Sequence, residues 1–203
     1  MTKVNLKEIV ESLIDTFLNA GQVALDLRKK GLTKTIKSDN TPVSNGDLEV
    51  NKIITNKIRD LTPDISIVSE ETSENKKNEE LSDFWLIDPI DGTYDYINDL
   101  DEFTINAGLI LDKKPAAGLI YVPAKKRMFY SYGEDLAFEL TNGKTLKLEG
   151  SKNFNKEEIK FVSYSNKIKP EIEEIHKKLN VKHFTRMKSS LKFCVIAAGE
   201  FDG

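Results

Sequence analysis

Two aspartates three positions apart end an apolar run and are the residues of this sequence best suited to chemistry. Asp88 and Asp91 follow the apolar residues 85–87, and Pro89 and Gly92 predict a sharp turn around them. Two carboxylates this close repel each other unless a cation lies between them. Mg²⁺ prefers such oxygen ligands, and the Asp-Gly-Thr that follows can open a helix whose free N–H groups suit a phosphate. The sequence therefore predicts adjacent metal and phosphate sites.

A third acidic side chain follows a second predicted strand. Glu70 comes directly after the β-branched run 65–69. Ligands in layered α/β folds gather beyond the carboxyl ends of strands, so Glu70 would join Asp88 and Asp91 if the two strands are neighbours. Two alternatives remain at this point. Glu70 could simply begin a charged loop, and the Asp-Pro-Ile-Asp segment could be a tight turn with helix-capping aspartates.

Periodicity and turn signals predict the elements that must position these acids. After the Asp-Gly-Thr turn, consecutive short strands indicate an antiparallel meander, with Asn142-Gly143 as a hairpin signal. Beyond it the pattern becomes strand, helix, strand, helix, and residues 38–47 and 72–80 are predicted loops. The predicted helices are 4–30, 46–60, 170–179 and 189–198, and the predicted strands are 33–37, 65–69, 85–88, 103–111, 116–122, 127–131, 136–140, 145–148, 159–164 and 181–185.

Composition limits the class of protein. The 203 residues are 39% hydrophobic and 31% charged, and 30 Lys and Arg against 33 Asp and Glu give a net charge of −3. This balance argues against a nucleic-acid or membrane surface. The single cysteine, Cys194, excludes an internal disulfide and, among apolar neighbours, predicts a packed core thiol. With no apolar leader or membrane-spanning run, we expect a cytoplasmic protein, with peripheral attachment to the inner membrane face as a variant.

Several stretches resemble the inositol monophosphatase-like superfamily of Mg²⁺-dependent, Li⁺-sensitive phosphatases. Residues 85–93 resemble its signature, residues 68–71 its upstream glutamate motif, and residues 40–47 an earlier Thr-Pro-Val stretch. Residues 189–194, Ser-Ser-Leu-Lys-Phe-Cys, and residues 103–106 resemble a narrower branch, the 3'(2'),5'-bisphosphate nucleotidases of the CysQ type. The resemblance extends from the first helix to the last residue.

The resemblance implies an α+β fold, a layered α-β-α-β-α sandwich. Residues 1–155 would form an α+β metal- and phosphate-binding domain with helices on an antiparallel sheet, and residues 156–203 the start of a smaller C-terminal α/β domain. The family continues beyond the position of Gly203 with a segment whose aspartate completes a second metal site. We therefore expect a C-terminally truncated chain of marginal stability that binds the second metal weakly and turns over slowly.

The resemblance also implies the metal ligands. Glu70, Asp88 and the backbone carbonyl of Ile90 would bind one Mg²⁺, and Asp88 and Asp91 would face a second. Mg²⁺ is thus the implied cofactor, because a bound divalent ion lowers the pKa of water and supplies hydroxide at neutral pH. A protein nucleophile is then not required, and His176 and His183 are expected to be structural or solvated.

The phosphate and the attacking water have implied partners of their own. The N–H groups of Gly92 and Thr93 would hold the phosphate, and Thr93, hydrogen-bonded to Asp47, would orient the water with Glu70. For Asp47 the alternative is ordinary helix capping, and Ser190 could cap the last helix or contact a nucleotide. The implied catalytic residues are Glu70, Thr93 and Asp47, and the implied substrate-binding residues are Glu70, Asp91, Gly92, Thr93 and Ser190.

Two positions depart from the nucleotidase branch. The branch usually has Gly where this chain has Lys188, and often has Lys where this chain has Tyr94. The Lys188 departure bears on how closely a nucleotide can approach.

The function implied first is hydrolysis of adenosine 3',5'-bisphosphate to AMP and phosphate, which in bacteria clears a by-product of sulfate assimilation. An inositol monophosphatase or related sugar phosphatase is the alternative, since the metal core is shared. An inactive fragment or a non-catalytic binder of metal and nucleotide is a third. The expected partner is a small phosphate ester, with no nucleic acid and no membrane span, and the expected state is a monomer or homodimer.

Overall fold

The elements that carry the acidic residues follow the predicted order. The computed structural model describes residues 5–37, 41–72, 81–150, 159–165 and 167–203, so most of the predicted loop 72–80 lies outside the described residues. The helices are α1 (Leu6–Lys30), α2 (Asn45–Leu61), α3 (Thr93–Ile97), α4 (Pro170–Leu179) and α5 (Leu191–Ala197). The strands are β1 (Lys34–Ile36), β2 (Pro42–Ser44), β3 (Ser66–Ser69), β4 (Phe84–Asp91), β5 (Thr104–Leu111), β6 (Lys114–Val122), β7 (Arg127–Tyr132), β8 (Ala137–Thr141), β9 (Lys144–Lys147), β10 (Ile159–Ser163) and β11 (Val181–Arg186).

A seven-stranded sheet in the order β3-β4-β5-β6-β7-β8-β9 forms the centre of the fold. From β4 to β9 each strand pairs antiparallel with the next, as the meander predicted. Asn142 and Gly143 both have positive φ, 50° and 71°, which a two-residue hairpin of this kind requires. The predicted antiparallel sheet has one exception, because β3 runs parallel to β4.

The two long helices cover one face of this sheet. Val10, Leu13 and Phe17 of α1 are fully buried, and their spacing of three and four residues places them on one side of the helix. Ile54 and Ile58 of α2 are buried in the same core, against the sheet. Burial of each such side chain stabilises the folded state by about 1.5–3 kcal/mol. This cluster, which we call the larger core, therefore fixes the position of the strands beneath it.

The N-terminal loop prediction needs one correction. Part of the predicted loop 38–47 is a strand, since β2 pairs antiparallel with β1 and Val43 lies opposite Thr35. Residues 38–40 of that loop are outside the described part of the chain. The pair is short, and its role is to lead directly into α2.

A second, smaller unit lies on the other face of the sheet. β10 and β11 form a parallel pair, and the smaller core is built from Val122 and Phe129 of the sheet with Leu191, Cys194 and Val195 of α5. Burial raises the pKa of the Cys194 thiol to about 12, consistent with the predicted core role. A cavity of about 540 Å³ with mostly apolar walls remains between this face and α5.

Polar contacts fasten the smaller unit to the sheet. Arg127 of β7 pairs with Glu139 of β8 through two hydrogen bonds of 2.6 and 3.0 Å and also with Glu200, which follows α5. Burial alone would lower the pKa of Arg127, but these two carboxylates outweigh burial and raise it. Within the described ranges, no helix has the length and apolar character needed to cross a membrane.

Candidate metal and phosphate site

Glu70 and Asp88 each lie directly after the last residue pair of the parallel β3–β4 pairing. In the β3–β4 pair Ser69 lies opposite Ile87, and the N–H of Glu70 donates to the carbonyl of Ile87 at 3.0 Å. The two strands are therefore neighbours, as the predicted approach of Glu70 to Asp88 required. The Glu70 side chain is 46% exposed, so it borders solvent.

The carboxyl group of Asp88 lies in surroundings that disfavour its charge. Burial comes first, followed by the charges of Glu70 and Asp91, and together they raise the pKa of Asp88 to about 8. A hydrogen bond to Glu70 acts in the same direction. Without a cation Asp88 therefore keeps its proton at neutral pH, whereas a bound cation would favour the ionised form.

Two buried acceptor atoms lie at this position. Among the residues that the structure describes, Asp88 Oδ1 and Asn106 Oδ1 have no hydrogen-bond partner, and the two residues lie opposite each other in the β4–β5 pair. Unpaired buried acceptors cost free energy, and a hydrated hard cation is a group that would satisfy them. The residues present therefore fit Mg²⁺.

The third carboxylate is held by protein donors instead of completing a ligand cluster. Oδ2 of Asp91 accepts from the N–H of Ser190 at 2.6 Å, from its hydroxyl at 2.8 Å, and from Thr104 Oγ1 at 3.4 Å. In the part of the chain that the structure describes, no group of three or more His, Cys, Asp or Glu side chains is arranged to hold a metal as it stands.

A β-bulge explains how Asp88 and Asp91 can act together. Residues three apart on a regular strand point to opposite faces. Here Asp88 lies opposite Asn106 and Asp91 opposite Thr104, so three steps on β4 match two on β5. Proline, which cannot donate to the ladder, occupies this irregular segment as Pro89. The motif Asp-Pro-Ile-Asp thus encodes the bulge.

The turn after Asp91 requires a glycine and leads into a single helical turn. Gly92 has φ +94°, and a Cβ there would lie 3.1 Å from the carbonyl oxygen of Glu102. The first N–H groups of α3, beginning with Thr93, have no intrahelical acceptor. The predicted phosphate contacts, Gly92 and Thr93, therefore lie directly beside the acidic residues.

Asp47 both caps a helix and contacts Thr93. Its Oδ2 accepts from the N–H and hydroxyl of Ser44, at 2.8 and 2.6 Å, which forms a capping box at the start of α2. Its Oδ1 lies 3.1 Å from Thr93 Oγ1, which is also 3.1 Å from the carbonyl of Ile90. The two alternatives considered for Asp47 therefore coexist, and the catalytic role stays a prediction.

Lys37 is a charged residue of the site that sequence reasoning missed. Its Nζ lies 2.6 Å from Glu71 Oε1 and 3.4 Å from Glu70 Oε1. Burial would lower the pKa of Lys37, but its hydrogen bond to Glu71 and the charges of both glutamates outweigh burial and raise it. Nothing in the local pattern at the end of a short strand indicated this contact.

The Ser190 side chain does not cap α5, and its predicted contact with a nucleotide stays a prediction. Its side chain makes no capping hydrogen bond, and its hydroxyl bonds to Asp91 and to Asn106 Nδ2, 3.1 Å away. The two departures from the branch are neighbours, since Lys188 Nζ lies 5.8 Å from the ring centroid of Tyr94. The same Nζ is 2.5 Å from Asp95 Oδ1, a contact that the sequence did not predict.

Comparison with known proteins points to one family. The sequence model of the inositol monophosphatase family matches residues 5–203. The 3'(2'),5'-bisphosphate nucleotidase CysQ of Escherichia coli strain K12 is 32% identical over 187 residues, which cover 90% of this chain and 74% of that protein. The protein of the same name from Aggregatibacter actinomycetemcomitans is 33% identical over 142 residues, 69% of this chain and 53% of its own length.

The fold is similar to that of a solved structure. An IMPase/NADP phosphatase crystallised with Mg²⁺ and phosphate has a TM-score of 0.77 and 19% identity, covering 98% of this chain and 74% of that one. At this identity the likeness concerns the fold, and it confirms the predicted α+β layered architecture. The chain belongs to the inositol monophosphatase family.

Proposed function

We propose that the chain is a Mg²⁺-dependent phosphomonoesterase that hydrolyses the 3'-phosphate of adenosine 3',5'-bisphosphate to AMP and phosphate. The convergence of Glu70 and Asp88 at the ends of parallel strands, beside the Gly92-Thr93 turn, is the observation that carries the proposal. Relatives named 3'(2'),5'-bisphosphate nucleotidase support the substrate class. We place this activity in the cytoplasm.

The acidic residues would hold the metal. Oxygen donors are supplied by Glu70, Asp88, Asp91 and the carbonyl of Ile90. A cation would satisfy Oδ1 of Asp88, which has no hydrogen-bond partner among the described residues. A solved neighbour that holds Mg²⁺ and phosphate supports the choice of ion. When bound, Mg²⁺ supplies charge neutralisation and a lowered water pKa.

The protein groups next to the metal would position phosphate and water. Thr93 Oγ1 has one proton, and both Asp47 Oδ1 and the carbonyl of Ile90 are placed to accept it. A lone pair of the hydroxyl is then left to accept from the attacking water, which fixes the orientation of that water. Glu70 takes the second proton of the water as it attacks phosphorus, and the departing 3'-oxygen is protonated by solvent. The N–H groups of Gly92 and Thr93 would donate hydrogen bonds to the phosphoryl oxygens.

Phosphate release from matched substrates tests the proposal. Adenosine 3',5'-bisphosphate, AMP and inositol 1-phosphate are each incubated with the chain, with Mg²⁺ and with chelator. We expect slow release from the bisphosphate that depends on Mg²⁺ and no release from AMP. The rate with inositol 1-phosphate should be lower still by about tenfold or more, because missing contacts to a substrate typically cost a factor of that order. Faster hydrolysis of inositol 1-phosphate would favour the sugar phosphatase alternative, and nucleotide binding without turnover would favour the non-catalytic one.

A single variant links the activity to the site. Asp91→Asn keeps the shape of the side chain and removes its charge, so we expect turnover to be abolished while the thermal unfolding midpoint changes little. Asp64→Asn is the matched control, because Asp64 is exposed in the turn between α2 and β3. Near-normal phosphate release by Asp91→Asn would contradict the assigned role.

A further inference from the structure

The loop that joins β11 to α5, residues 187–190, is hydrogen-bonded both to the smaller unit and to elements of the acidic site. The N–H of Met187 donates to Ser163 at 2.9 Å, within the smaller unit. The N–H of Lys188 donates to Glu102 Oε2 at 3.0 Å, and Ser190 donates to Asp91. We call this segment the docking loop, because it joins the smaller unit to the strand and turn that carry the acids.

The strongest charged contact of the docking loop is made by Lys188. Its Nζ lies 2.5 Å from Asp95 Oδ1, and the two side chains are only 18% and 4% exposed. Asp95 belongs to α3, the helical turn that starts at Thr93. A carboxylate this buried requires a partner, since an unpaired buried charge is strongly unfavourable. The ammonium group of Lys188 is therefore committed to Asp95 and is not free for a ligand.

Two residues further along, Ser190 fixes the orientation of Asp91. Both its N–H and its hydroxyl contact Oδ2 of Asp91, at 2.6 and 2.8 Å. Asn106 Nδ2 donates to the same hydroxyl at 3.1 Å, so the single hydroxyl proton is directed at Asp91. With Oδ2 held in this way, the direction of Oδ1 is set by Ser190.

We propose that Lys188 is a positioning residue: by pairing with Asp95 it holds the docking loop so that Ser190 orients the Asp91 carboxylate for metal binding. The expected effect of Lys188 on metal affinity rests on the proposed function, whereas its expected effect on the position of Ser190 does not. Loss of the ammonium would release residues 188–190 and allow Asp91 to rotate. Outer contacts that orient a metal ligand typically change metal affinity by about 10–100-fold when removed.

The test compares two substitutions at Lys188 with a control lysine. Lys188→Met keeps the length of the side chain without its charge, and Lys188→Arg keeps the charge. Lys177→Met is the control, since Lys177 is 73% exposed and pairs along α4 with Glu173. The first readout is amide hydrogen exchange of Ser190 without metal, and the second is the Mg²⁺ dissociation constant by calorimetry.

For Lys188→Met we expect Ser190 exchange to accelerate by about tenfold or more and Mg²⁺ affinity to fall by about tenfold. Lys188→Arg should restore both to within a few-fold, and Lys177→Met should change neither. If Lys188→Met proves unstable, the Lys188→Met/Asp95→Asn double variant removes both charges. Its Ser190 amide should exchange as fast as in Lys188→Met, and its thermal unfolding midpoint should be higher than that of Lys188→Met.

Unchanged Ser190 exchange in Lys188→Met would overturn the proposal, whatever happens to activity. A raised KM with unchanged exchange would also overturn it, because Lys188 would then act on the substrate. If the native chain neither binds Mg²⁺ nor hydrolyses phosphate esters, the proposed function fails, but the exchange comparison still decides whether Lys188 holds Ser190.

Discussion

The larger and the smaller core contribute to the acidic site in different ways. The larger core, under α1 and α2, includes Trp85, Ile87 and Ile90, which flank Asp88 and are at most 1% exposed. The smaller core, under α5, includes Leu191, the residue directly after Ser190. The position of Asp88 is thus fixed by apolar packing on its own strand, whereas the group that orients Asp91 comes from the other unit.

Beside the apolar smaller core, polar contacts also connect the two units near the acidic site. Lys188 with Asp95, Ser190 with Asp91, and Arg127 with Glu200 connect them. Hydrogen bonds and ion pairs contribute less net free energy than a large apolar core, and segments held in this way open locally more often. The comparison implies that the position of Asp88 is rigid, whereas the orientation of Asp91 depends on the docking loop.

The largest effect on turnover is expected when Asp88, whose position the larger core fixes, loses its charge. Asp88→Asn should lower turnover by about a thousandfold or more, a loss typical of removing one preorganised electrostatic group. Both cores are untouched, so the circular dichroism spectrum should be native. The measurement is kcat with adenosine 3',5'-bisphosphate at saturating Mg²⁺. A rate within tenfold of native would mean that the tips of β3 and β4 do not hold the metal.

Sequence reasoning succeeded where a local pattern decides the structure. Helical spacing located α1 and α2 to within two residues, and Asn142-Gly143 located the β8–β9 hairpin. The Asp-Pro-Ile-Asp-Gly-Thr motif placed two carboxylates and a glycine turn together because the bulge is encoded in those residues themselves.

Contacts between segments that are distant in the chain could not be predicted from the sequence. Lys37 meets Glu71 across 34 positions, and Lys188 meets Asp95 across 93. Nothing near a lysine indicates which distant carboxylate it will reach, because tertiary packing decides that. The pairing of β2 with β1 was missed for a related reason, since a three-residue strand in a turn-rich stretch has no periodicity of its own.

Matched truncations in the two cores test the comparison directly. Leu109 of β5 and Leu191 of α5 are 0% and 1% exposed. We expect Leu109→Ala to lower the free energy of unfolding by about 4 kcal/mol and Leu191→Ala by about 2 kcal/mol, since buried Leu→Ala changes cost about 2–5 kcal/mol and the smaller core can relax. Urea unfolding measures both.

The two leucine substitutions should have the opposite order of effect on Mg²⁺ affinity. Leu191→Ala loosens the helix that follows Ser190, so it should weaken Mg²⁺ binding several-fold, whereas Leu109→Ala should leave the affinity close to native once the chain is folded. If both variants weaken Mg²⁺ binding equally, the acids and the docking loop form one cooperative unit and the comparison fails.

The pH dependence of metal-free stability should report on Asp88. Its folded pKa of about 8 lies above its ordinary value of 3.8, so between these pH values the folded state keeps a proton that the unfolded state has lost. Stability from this group is therefore complete at low pH and falls as pH rises toward 8. Mg²⁺ binds the ionised form, so it should raise the urea midpoint more at pH 8 than at pH 6. Asp88→Asn should flatten the dependence, and an equal Mg²⁺ effect at both pH values would count against it.

The smallest effect is expected where α3 is tied to the larger core. The Tyr96 hydroxyl donates to the carbonyl of Ala24 in α1 at 2.7 Å, and its ring packs against Phe103 at 4.9 Å between centroids. Tyr96→Phe removes the hydrogen bond and keeps the ring, so the free energy of unfolding should fall by about 1 kcal/mol. Apolar packing still holds α3, so kcat should stay within twofold of native, in contrast to Lys188→Met. A large loss of activity in Tyr96→Phe, measured beside a native Mg²⁺ affinity, would show that hydrogen bonding to α1, and not packing, positions Thr93 at the start of this helix.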